Sequence, residues 1–536
     1  VQIGPTPFGG DNPLRVQSMT TADTMDTEAT VAQSIRMIEA GCELVRITAP
    51  SKKDAENLGP IKEAIRAKGY DTPIVADIHF TPNAAEVAAK IVEKVRVNPG
   101  NYADKKKFEE IEYTEESYQA ELDRIREKFT PLVLLCKEHG TAMRIGTNHG
   151  SLSDRIMSWY GDTPKGMVES ALEFLRICRD NDFHDIVLSM KASNTQVMVQ
   201  AYRLLVHEMM KEGMDYPLHL GVTEAGDGED GRIKSAVGIG TLLEDGLGDT
   251  VRVSLTEEPE AEMPVGRALV ERYTTRTGKP IPAYNKALPY DPFSYHRRTT
   301  RAVGNIGDHH VPVVIADLSG REKIEPSSLF AFGYQYSIPL DKWNMSDAAC
   351  DFAFVGSNKV GFEIPGTLGV IQEAEALQDR PRHFPISDDP SKLTHPDLNF
   401  LRVQLKDVLE RKEQYQENVV LVLETDNGHG MAEQRRAFID LMDRNDPVPV
   451  IIKRRYADLS EEQFQLYAAT DLGALLIDGM GDGVWVAAVN CASDHIIGRT
   501  MFGILQATRV RISKTEYISC PSCGRTLFDL QETTAK

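Results

Sequence analysis

The chain has 536 residues, of which 41% are hydrophobic and 26% charged, so it can bury a large core and intrinsic disorder is excluded as its general state. Its 60 lysines and arginines stand against 80 aspartates and glutamates, and the resulting net charge of −20 argues against binding to nucleic acid or to an anionic membrane. Seven cysteines are too few for a disulfide scaffold. The sequence contains no apolar run of ~18 residues, so no transmembrane helix is predicted, and we expect a cytoplasmic location.

Short apolar runs alternate with amphipathic stretches through the first half of the chain. Strands are predicted at 16–19, 43–47, 73–78, 94–97, 141–146, 185–190, 217–222 and 250–255. Apolar spacings of three and four predict helices at 27–40, 54–68, 82–92, 115–139, 164–181, 195–212 and 235–246. This alternation over ~250 residues predicts an N-terminal (β/α)8 TIM barrel. An open doubly wound sheet is the alternative, but no glycine fingerprint follows the first strand.

Polar side chains stand at the end of almost every predicted strand. In a TIM barrel the strand ends and the loops that follow them form one mouth, where the active site lies. Five of these residues are cations although the chain is acidic, and arginine forks suit phosphate oxygens. The pattern therefore predicts an anionic ligand held by Arg46, Arg96, Arg144, Lys191 and Arg252.

Other strand ends carry neutral or titratable groups. They are Asp77, His79, Asn98, Asn148, His219, Glu224 and Ser254. A purely structural explanation stays open for several of them. His219 could be a hydrogen-bonded core histidine, Glu224 could pair with an arginine, and Asp77 with His79 could only brace the fold.

Two glycine pairs are predicted as turns around the helix between the seventh and eighth strands. Gly238 and Gly240 lie in SAVGIG, and Gly246 and Gly248 lie in EDGLGD. Barrel enzymes often bind phosphate in that neighbourhood, although such turns also occur without a ligand.

Seven motifs occur in an order that identifies a family. VQSMT, VADIHF, VRVNPGN, MRIGTNHGSL, SMKAS, LHLGVTEAG and GDTVRVSL resemble 4-hydroxy-3-methylbut-2-enyl diphosphate synthase, and ISCPSCGRT resembles the start of its iron–sulfur domain. The resemblance implies an oxidoreductase of the non-mevalonate (MEP) isoprenoid pathway that opens 2-C-methyl-D-erythritol 2,4-cyclodiphosphate reductively. Electrons would pass from flavodoxin or ferredoxin through a [4Fe–4S] cluster. A homodimer is left open, as is the plastid stroma for a plant protein.

The resemblance also implies roles for the strand-end residues. Glu224 would be the acid–base group, and Asp77, His79 and His219 would contact hydroxyls or relay protons. The diphosphate would be bound by Arg46, Arg96, Asn98, Arg144, Asn148, Lys191, Arg252 and Ser254.

The cluster ligands are only partly present in the sequence. The first two would be Cys520 and Cys523, whereas the family's third cysteine and its glutamate are absent from these 536 residues. The chain as given is therefore expected to bind the cyclic diphosphate without turning it over.

The middle of the chain is predicted to be an inserted α/β domain. Residues 257–310 are proline-rich and irregular, which is typical of a linker. Beyond them, strands are predicted at 311–318, 352–355, 400–405, 419–424, 448–452, 474–478 and 509–513. Helices are predicted at 368–377, 430–443, 460–468 and 484–498. A degenerate second barrel is one form that such a pattern could take.

The strand ends of this middle domain are acidic and would repel a diphosphate, as at Asp317, Glu424, Asp426 and Asp478. The DNGHG and GMGDG segments are interpreted as loop geometry rather than as metal or phosphate sites. The predicted domains are 1–258, 259–510 and 511–536, the last being the start of the iron–sulfur domain. Three-domain family members of plants and some bacteria have such an insertion, and two-domain members lack it.

Two further functions are carried as alternatives. One is a redox-inert barrel lyase or transferase on a phosphorylated substrate, in which CPSC would be half of a structural zinc site. The other is a non-catalytic diphosphate-binding module. Iron content discriminates the first from the synthase.

Overall fold

The computed structural model describes residues 1–78, 81–104 and 110–516 of the chain. These residues form two compact units, Val1–Thr274 and Thr275–Glu516. None of the helices in the described ranges has the length and apolar character that crossing a membrane demands.

The first unit alternates strands and helices as predicted. Its strands are β1 (Gln2–Ile3), β2 (Thr6–Pro7), β3 (Arg15–Val16), β4 (Ser18–Met19), β5 (Val45–Thr48), β6 (Ile74–Asp77), β7 (Lys94–Val97), β8 (Ala142–Asn148), β9 (Ile186–Lys191), β10 (His219–Leu220) and β11 (Thr250–Val251). Its helices are α1 (Thr27–Glu39), α2 (Lys52–Ala67), α3 (Pro82–Ala89), α4 (Pro99–Tyr102), α5 (Glu115–His139), α6 (Asp154–Tyr160), α7 (Pro164–Asp180), α8 (Thr195–Lys211), α9 (Gly228–Glu244) and α10 (Glu262–Thr275).

The parallel strands of this unit close on themselves. One sheet has the order β4-β5-β6-β7-β8-β9, and a second has the order β10-β11-β3. A bridge between Leu188 and Leu218 joins β9 to the second sheet. Because only Gln17 separates β3 from β4, they act as one strand that pairs with β11 on one side and β5 on the other. The predicted N-terminal TIM barrel is confirmed.

The floor of this barrel is filled by the N-terminal hairpin. Strands β1 and β2 pair antiparallel, and the hairpin packs Ile3 and Phe8 against Leu44, Val75 and Ala142. All five side chains are 1% exposed or less. The apolar plug closes the N-terminal ends of the strands, so we expect a ligand to enter the interior from the opposite end, the mouth.

Helix α9 differs from the prediction because it begins at Gly228 rather than at 235. Gly238 and Gly240 therefore lie inside a helix and not in a phosphate-binding turn. A Cβ atom at Gly238 would lie 2.6 Å from Cγ2 of Val222, so this glycine lets the helix pack closely on the barrel. Gly246 and Gly248, with φ of 76° and 119°, form the turn after the helix.

The second unit has strands β12 (Val313–Asp317), β13 (Tyr334–Ser337), β14 (Lys342–Met345), β15 (Phe352–Phe354), β16 (Gly369–Glu373), β17 (His383–Ser387), β18 (Asn399–Val403), β19 (Val419–Leu423), β20 (Val450–Ala457) and β21 (Gly483–Val489). Its helices are α11 (Leu405–Glu410), α12 (Gly430–Asp443), α13 (Glu461–Ile477) and α14 (Asp494–Ala507). Strands β12 and β15–β21 form a closed parallel barrel, in which β12 pairs with both β15 and β21. The second barrel is complete rather than degenerate.

Four predicted elements of the second unit are wrong. Residues 474–478 contain the end of α13 rather than a strand, and residues 484–498 begin in β21 rather than in a helix. Residues 368–377 contain β16, and 509–513 form no strand. Both α13 and β21 are buried over most of their length, and complete burial removes the alternation of apolar and polar residues that separates helix from strand.

The DNGHG segment anchors the linker, in agreement with its interpretation as a loop. Asn427 accepts a hydrogen bond from the Lys279 amide (3.0 Å) and donates one to the Lys279 carbonyl (3.1 Å). The close approach of Gly278 leaves no space for a Cβ, which would lie 2.3 Å from the His429 ring. In the GMGDG loop, Asp482 accepts from the Val450 amide at 3.0 Å.

Candidate active site

Strand pairing aligns predicted charged residues of three adjoining strands of the first barrel. Asp77 pairs with Arg96, and Arg96 pairs with Arg144, across three adjoining strands. Lys191 interacts electrostatically with the arginines of four other strands. The five cations are between 1% and 7% exposed, and they are Arg46, Arg96, Arg144, Lys191 and Arg252. The structure therefore gathers in one mouth the cations that the sequence placed there.

Asp77 braces two of these cations. Nη1 of Arg96 lies 3.0 Å from Oδ1 of Asp77, and Nε of Arg46 lies 3.5 Å from Oδ2. Arg96 also donates from Nη2 to the Gly146 carbonyl at 2.9 Å. The carboxylate thus orients two guanidinium groups. His79, the predicted companion of Asp77, lies outside the described residues.

Glu262 is a site residue that sequence reasoning missed. It begins α10, is 2% exposed, and receives Nε and Nη2 of Arg252 at 3.1 and 3.2 Å. Its Oε2 also accepts from the Ser18 hydroxyl at 2.5 Å. The segment EEPEAEMP holds several acidic residues that look alike in sequence, so its periodicity gave no signal that one of them turns inward.

Arg144 has donor capacity left over. Its Nε donates to Oγ of Ser189 at 3.0 Å, whereas its buried Nη1 has no hydrogen-bond partner among the described residues. Burial lowers the pKa of Arg144, and the adjacent charges of Arg46 and Arg96 lower it further. Burial and the same arginines also lower the pKa of Lys191 well below its ordinary value. Such a cluster is electrostatically unfavourable until an anion enters it.

A glycine of β8 and a glycine directly after β10 make room for two of the cations. A Cβ at Gly146 would lie 2.7 Å from Nε of Arg96, and one at Gly221 would lie 2.7 Å from Nζ of Lys191. Sequence reasoning missed both positions. Both glycines lie inside predicted strands, where a glycine often indicates that another group approaches the backbone closely. That signal could have identified both positions.

His219 lies in the short strand β10, and Glu224 lies in the loop that follows it. His219 is fully buried, and neither ring nitrogen has a hydrogen-bond partner among the described residues. Burial, together with Arg144 and Lys191, lowers the pKa of His219 well below 6.5, so the ring is neutral. Glu224 is half-buried and has a φ of 54°, a left-handed conformation that costs a non-glycine residue about 1–3 kcal/mol. Strain of this kind concentrates at functional sites.

The three predicted neutral ligands also lie at the mouth. Asn98 is buried, donates to Oγ of Ser151 at 2.8 Å and accepts from the Gly100 amide at 3.2 Å. Asn148 is half-buried, and its Oδ1 has no hydrogen-bond partner among the described residues. Ser254 follows β11 and is 3% exposed.

Within the described ranges, no three histidine, cysteine, aspartate or glutamate side chains come together in a group that could hold a metal ion. Cys520 and Cys523 lie outside those ranges.

The chain was compared with known proteins. The family model described as the GcpE TIM-barrel domain matches residues 1–267. A Parabacteroides distasonis protein named 4-hydroxy-3-methylbut-2-en-1-yl diphosphate synthase (flavodoxin) is 52% identical, in an alignment that covers 100% of this chain and 85% of the relative. The chain belongs to the 4-hydroxy-3-methylbut-2-enyl diphosphate synthase family.

Other relatives of the same name extend this finding. The protein of Phocaeicola vulgatus is 48% identical over 100% of this chain and 86% of its own length, and that of Leptospira interrogans is 41% identical over 100% and 85%. The synthase family resemblance drawn from motifs is confirmed, and it extends through the second barrel. Among solved structures, a truncated 3-deoxy-D-arabino-heptulosonate 7-phosphate synthase from Thermotoga maritima aligns with 51% of this chain and 90% of its own, at 11% identity and a TM-score of 0.31.

Proposed function

We propose that this chain catalyses the reductive ring opening of 2-C-methyl-D-erythritol 2,4-cyclodiphosphate to 4-hydroxy-3-methylbut-2-enyl diphosphate. The observation that carries the proposal is the buried cation cluster at the mouth of a barrel that belongs to the synthase family. In the reaction one ring C–O bond and one C–OH bond break. Two electrons and one proton are consumed, and one water is released together with the more negative open diphosphate.

The cations of the mouth would bind the diphosphate. Arg144 has an unused buried donor, and Lys191 lies among four arginines, so an entering anion would meet several charge-assisted donors at once. Asp77 and Glu262 would also hold guanidinium groups in place. The proposed ligands are Arg46, Arg96, Asn98, Arg144, Asn148, Lys191, Arg252 and Ser254.

Glu224 would supply the proton that the departing oxygen needs. Its strained backbone and half-buried position in the loop after β10 support this role. His219 is neutral and buried beneath the mouth, where it would orient a substrate hydroxyl. Asp77 and His79 would take part in the same contacts.

An iron–sulfur cluster, with Cys520 and Cys523 among its ligands, would supply electrons received from flavodoxin, which the relatives carry in their names. We place the reaction in the cytoplasm.

The test uses the protein reconstituted anaerobically with iron and sulfide and assayed with reduced flavodoxin. Product formation is expected from the cyclic diphosphate. Glu224→Gln should keep the cluster spectrum and the substrate affinity but lose at least 100-fold in turnover, as expected for a lost general acid. Zinc in place of iron, with no reductive turnover, would overturn the proposal and favour a redox-inert barrel enzyme. A Glu224→Gln enzyme with full turnover would remove Glu224 from the chemistry.

A further inference from the structure

Lys94 is a buried amine that the proposed mechanism does not use. It opens β7 two residues before Arg96, so its side chain enters the barrel interior one layer nearer the floor. It is 0% exposed, and its Nζ has no hydrogen-bond partner among the described residues. The ring of Phe8, part of the floor, has its centre 5.6 Å from Nζ.

Most of the charged side chains around Lys94 in the barrel interior are cations. Burial lowers the pKa of the Lys94 amine well below its ordinary value, and Arg144 and Arg46 lower it further. The carboxylate of Asp77, which pairs in register with Arg96 in the layer above, is already bonded to Arg96. The strands around β7 carry into the interior the charged or titratable side chains of Arg46, Asp77, Arg144, Lys191 and His219.

We propose that Lys94 takes up a proton when a diphosphate occupies the mouth, and so completes the anion site from below. The inference rests on the proposed function, because it takes the ligand to be a diphosphate. While the mouth is empty, an ammonium group here would face two arginines in a medium of low dielectric constant, so the neutral amine is favoured. A bound diphosphate adds negative charge beside those arginines and reverses the preference. The proton comes from the solvent, and only an N–H bond forms.

Lys94 is a better proton acceptor than its neighbour His219. The ordinary pKa of lysine is about 10.4 and that of histidine about 6.5. At about pH 8, Lys94 needs to recover only part of its ordinary basicity, whereas His219 would have to exceed its own. Lys191, whose pKa is lowered for the same reason, contributes protons as well. The number of protons taken up by Lys94 itself is therefore the difference in proton uptake between the wild type and a variant that lacks the amine.

The test is titration calorimetry of the 536-residue chain with the cyclic diphosphate, at about pH 8, in two buffers of different ionisation enthalpy. The buffer dependence of the heat counts protons taken up per ligand bound. We expect Lys94→Met, which keeps the shape of the chain and removes the amine, to take up about one proton fewer than the wild type. A second variant, His219→Gln, asks whether the histidine takes up the proton instead; per ligand bound, it should take up as many protons as the wild type. A residue that only fills space would not change this count.

The other possible outcomes would each contradict the inference or the proposed function. A Lys94→Met protein that binds with the wild-type proton count overturns the inference, as does loss of the proton in His219→Gln alone. If Lys94→Met does not fold, Lys94→Arg replaces it, and its permanent charge should likewise remove about one proton from the count. A wild-type chain that binds no cyclic diphosphate overturns the proposed function itself, and this inference with it.

Discussion

The two barrels of this chain carry charged side chains at their mouths but balance them differently. In the first barrel, five cations gather around one another, and the carboxylates that reach them in the described structure are those of Asp77 and Glu262. In the second barrel, Arg402 and Lys453 each meet a carboxylate, Glu373 at 3.1 Å and Glu424 at 2.6 Å.

Aromatic side chains complete the second mouth. Nζ of Lys453 lies 4.0 Å from the centre of a Trp485 ring, and the Trp485 indole donates to Oδ2 of Asp317 at 3.0 Å. Arg402 stacks over Phe354 at 5.7 Å. Arg402 and Lys453 thus both have partners within the fold. Cations alone therefore do not distinguish an anion site from a structural ion-pair network. The distinguishing feature is a shortage of carboxylates beside the cations.

Removing Glu262 should have the largest effect. Glu262→Ala leaves Arg252 buried without its carboxylate, and loss of one partner of a buried pair costs about 3–5 kcal/mol. Urea denaturation should show that loss in the first barrel. Glu260→Ala is the matched control, because Glu260 pairs with the half-exposed Arg36 and should cost under about 1 kcal/mol. Equal losses in the two variants would show that Arg252 does not depend on its buried partner.

Substituting an arginine should weaken binding of the cyclic diphosphate in the first mouth but not in the second. Arg144→Ala should weaken binding of the cyclic diphosphate by about 2–4 kcal/mol, because a buried charge-assisted contact is lost. Arg402→Ala should leave binding unchanged, because that guanidinium is committed to Glu373. Titration calorimetry measures both variants. A similar loss in Arg402→Ala would place ligand binding in the second barrel as well.

The second mouth should become an anion site when its carboxylates are neutralised. The double variant Glu373→Gln, Glu424→Gln frees Arg402 and Lys453 from their counter-charges. On an Arg144→Ala background, which weakens binding at the first mouth, a further pyrophosphate should bind with a Kd of about 1 mM, or about 4 kcal/mol. The Arg144→Ala protein with both glutamates intact should lack this additional binding event. If the double variant lacks it too, missing carboxylates are not what makes such a site.

The smallest effect concerns pH. The folded pKa of His219 lies below its unfolded value of about 6.5, so the unfolded chain binds more protons once the pH falls below that value. The stability that His219 contributes is therefore full above about pH 6.5 and falls at lower pH, by about 1 kcal/mol at pH 5.5. Denaturation of the ligand-free protein at a series of pH values should show this slope, and His219→Gln should lack it. An unchanged slope in the variant would mean that His219 is charged in the fold.

The sequence predicted the first barrel well because its surface helices are amphipathic and end at recognisable caps. Helix α5 begins after Thr114, which caps it, and ends at Gly140 with a φ of 65°, so its bounds match the prediction. Elements buried over most of their length, such as α13 and β21, were confused, because such burial leaves little periodicity to follow.

The candidate site was predictable at the strand ends and less so beyond them. Arg46 and Arg144 could be placed because alternate strand residues face the interior of a barrel. Glu262 and Lys94 could not be placed, for different reasons. The first reaches the site from a helix after the barrel, and the second lies one layer below the level where a strand-end search looks.

Hydrogen exchange of the 536-residue chain with and without the cyclic diphosphate tests the central claim, that an anion is bound by the first mouth and not by the second. We expect added protection in peptides that contain Arg46, Arg96, Arg144, Lys191 and Arg252, and no change around Glu373, Arg402, Glu424 and Lys453. Protection in the second set, or in neither, would contradict the account.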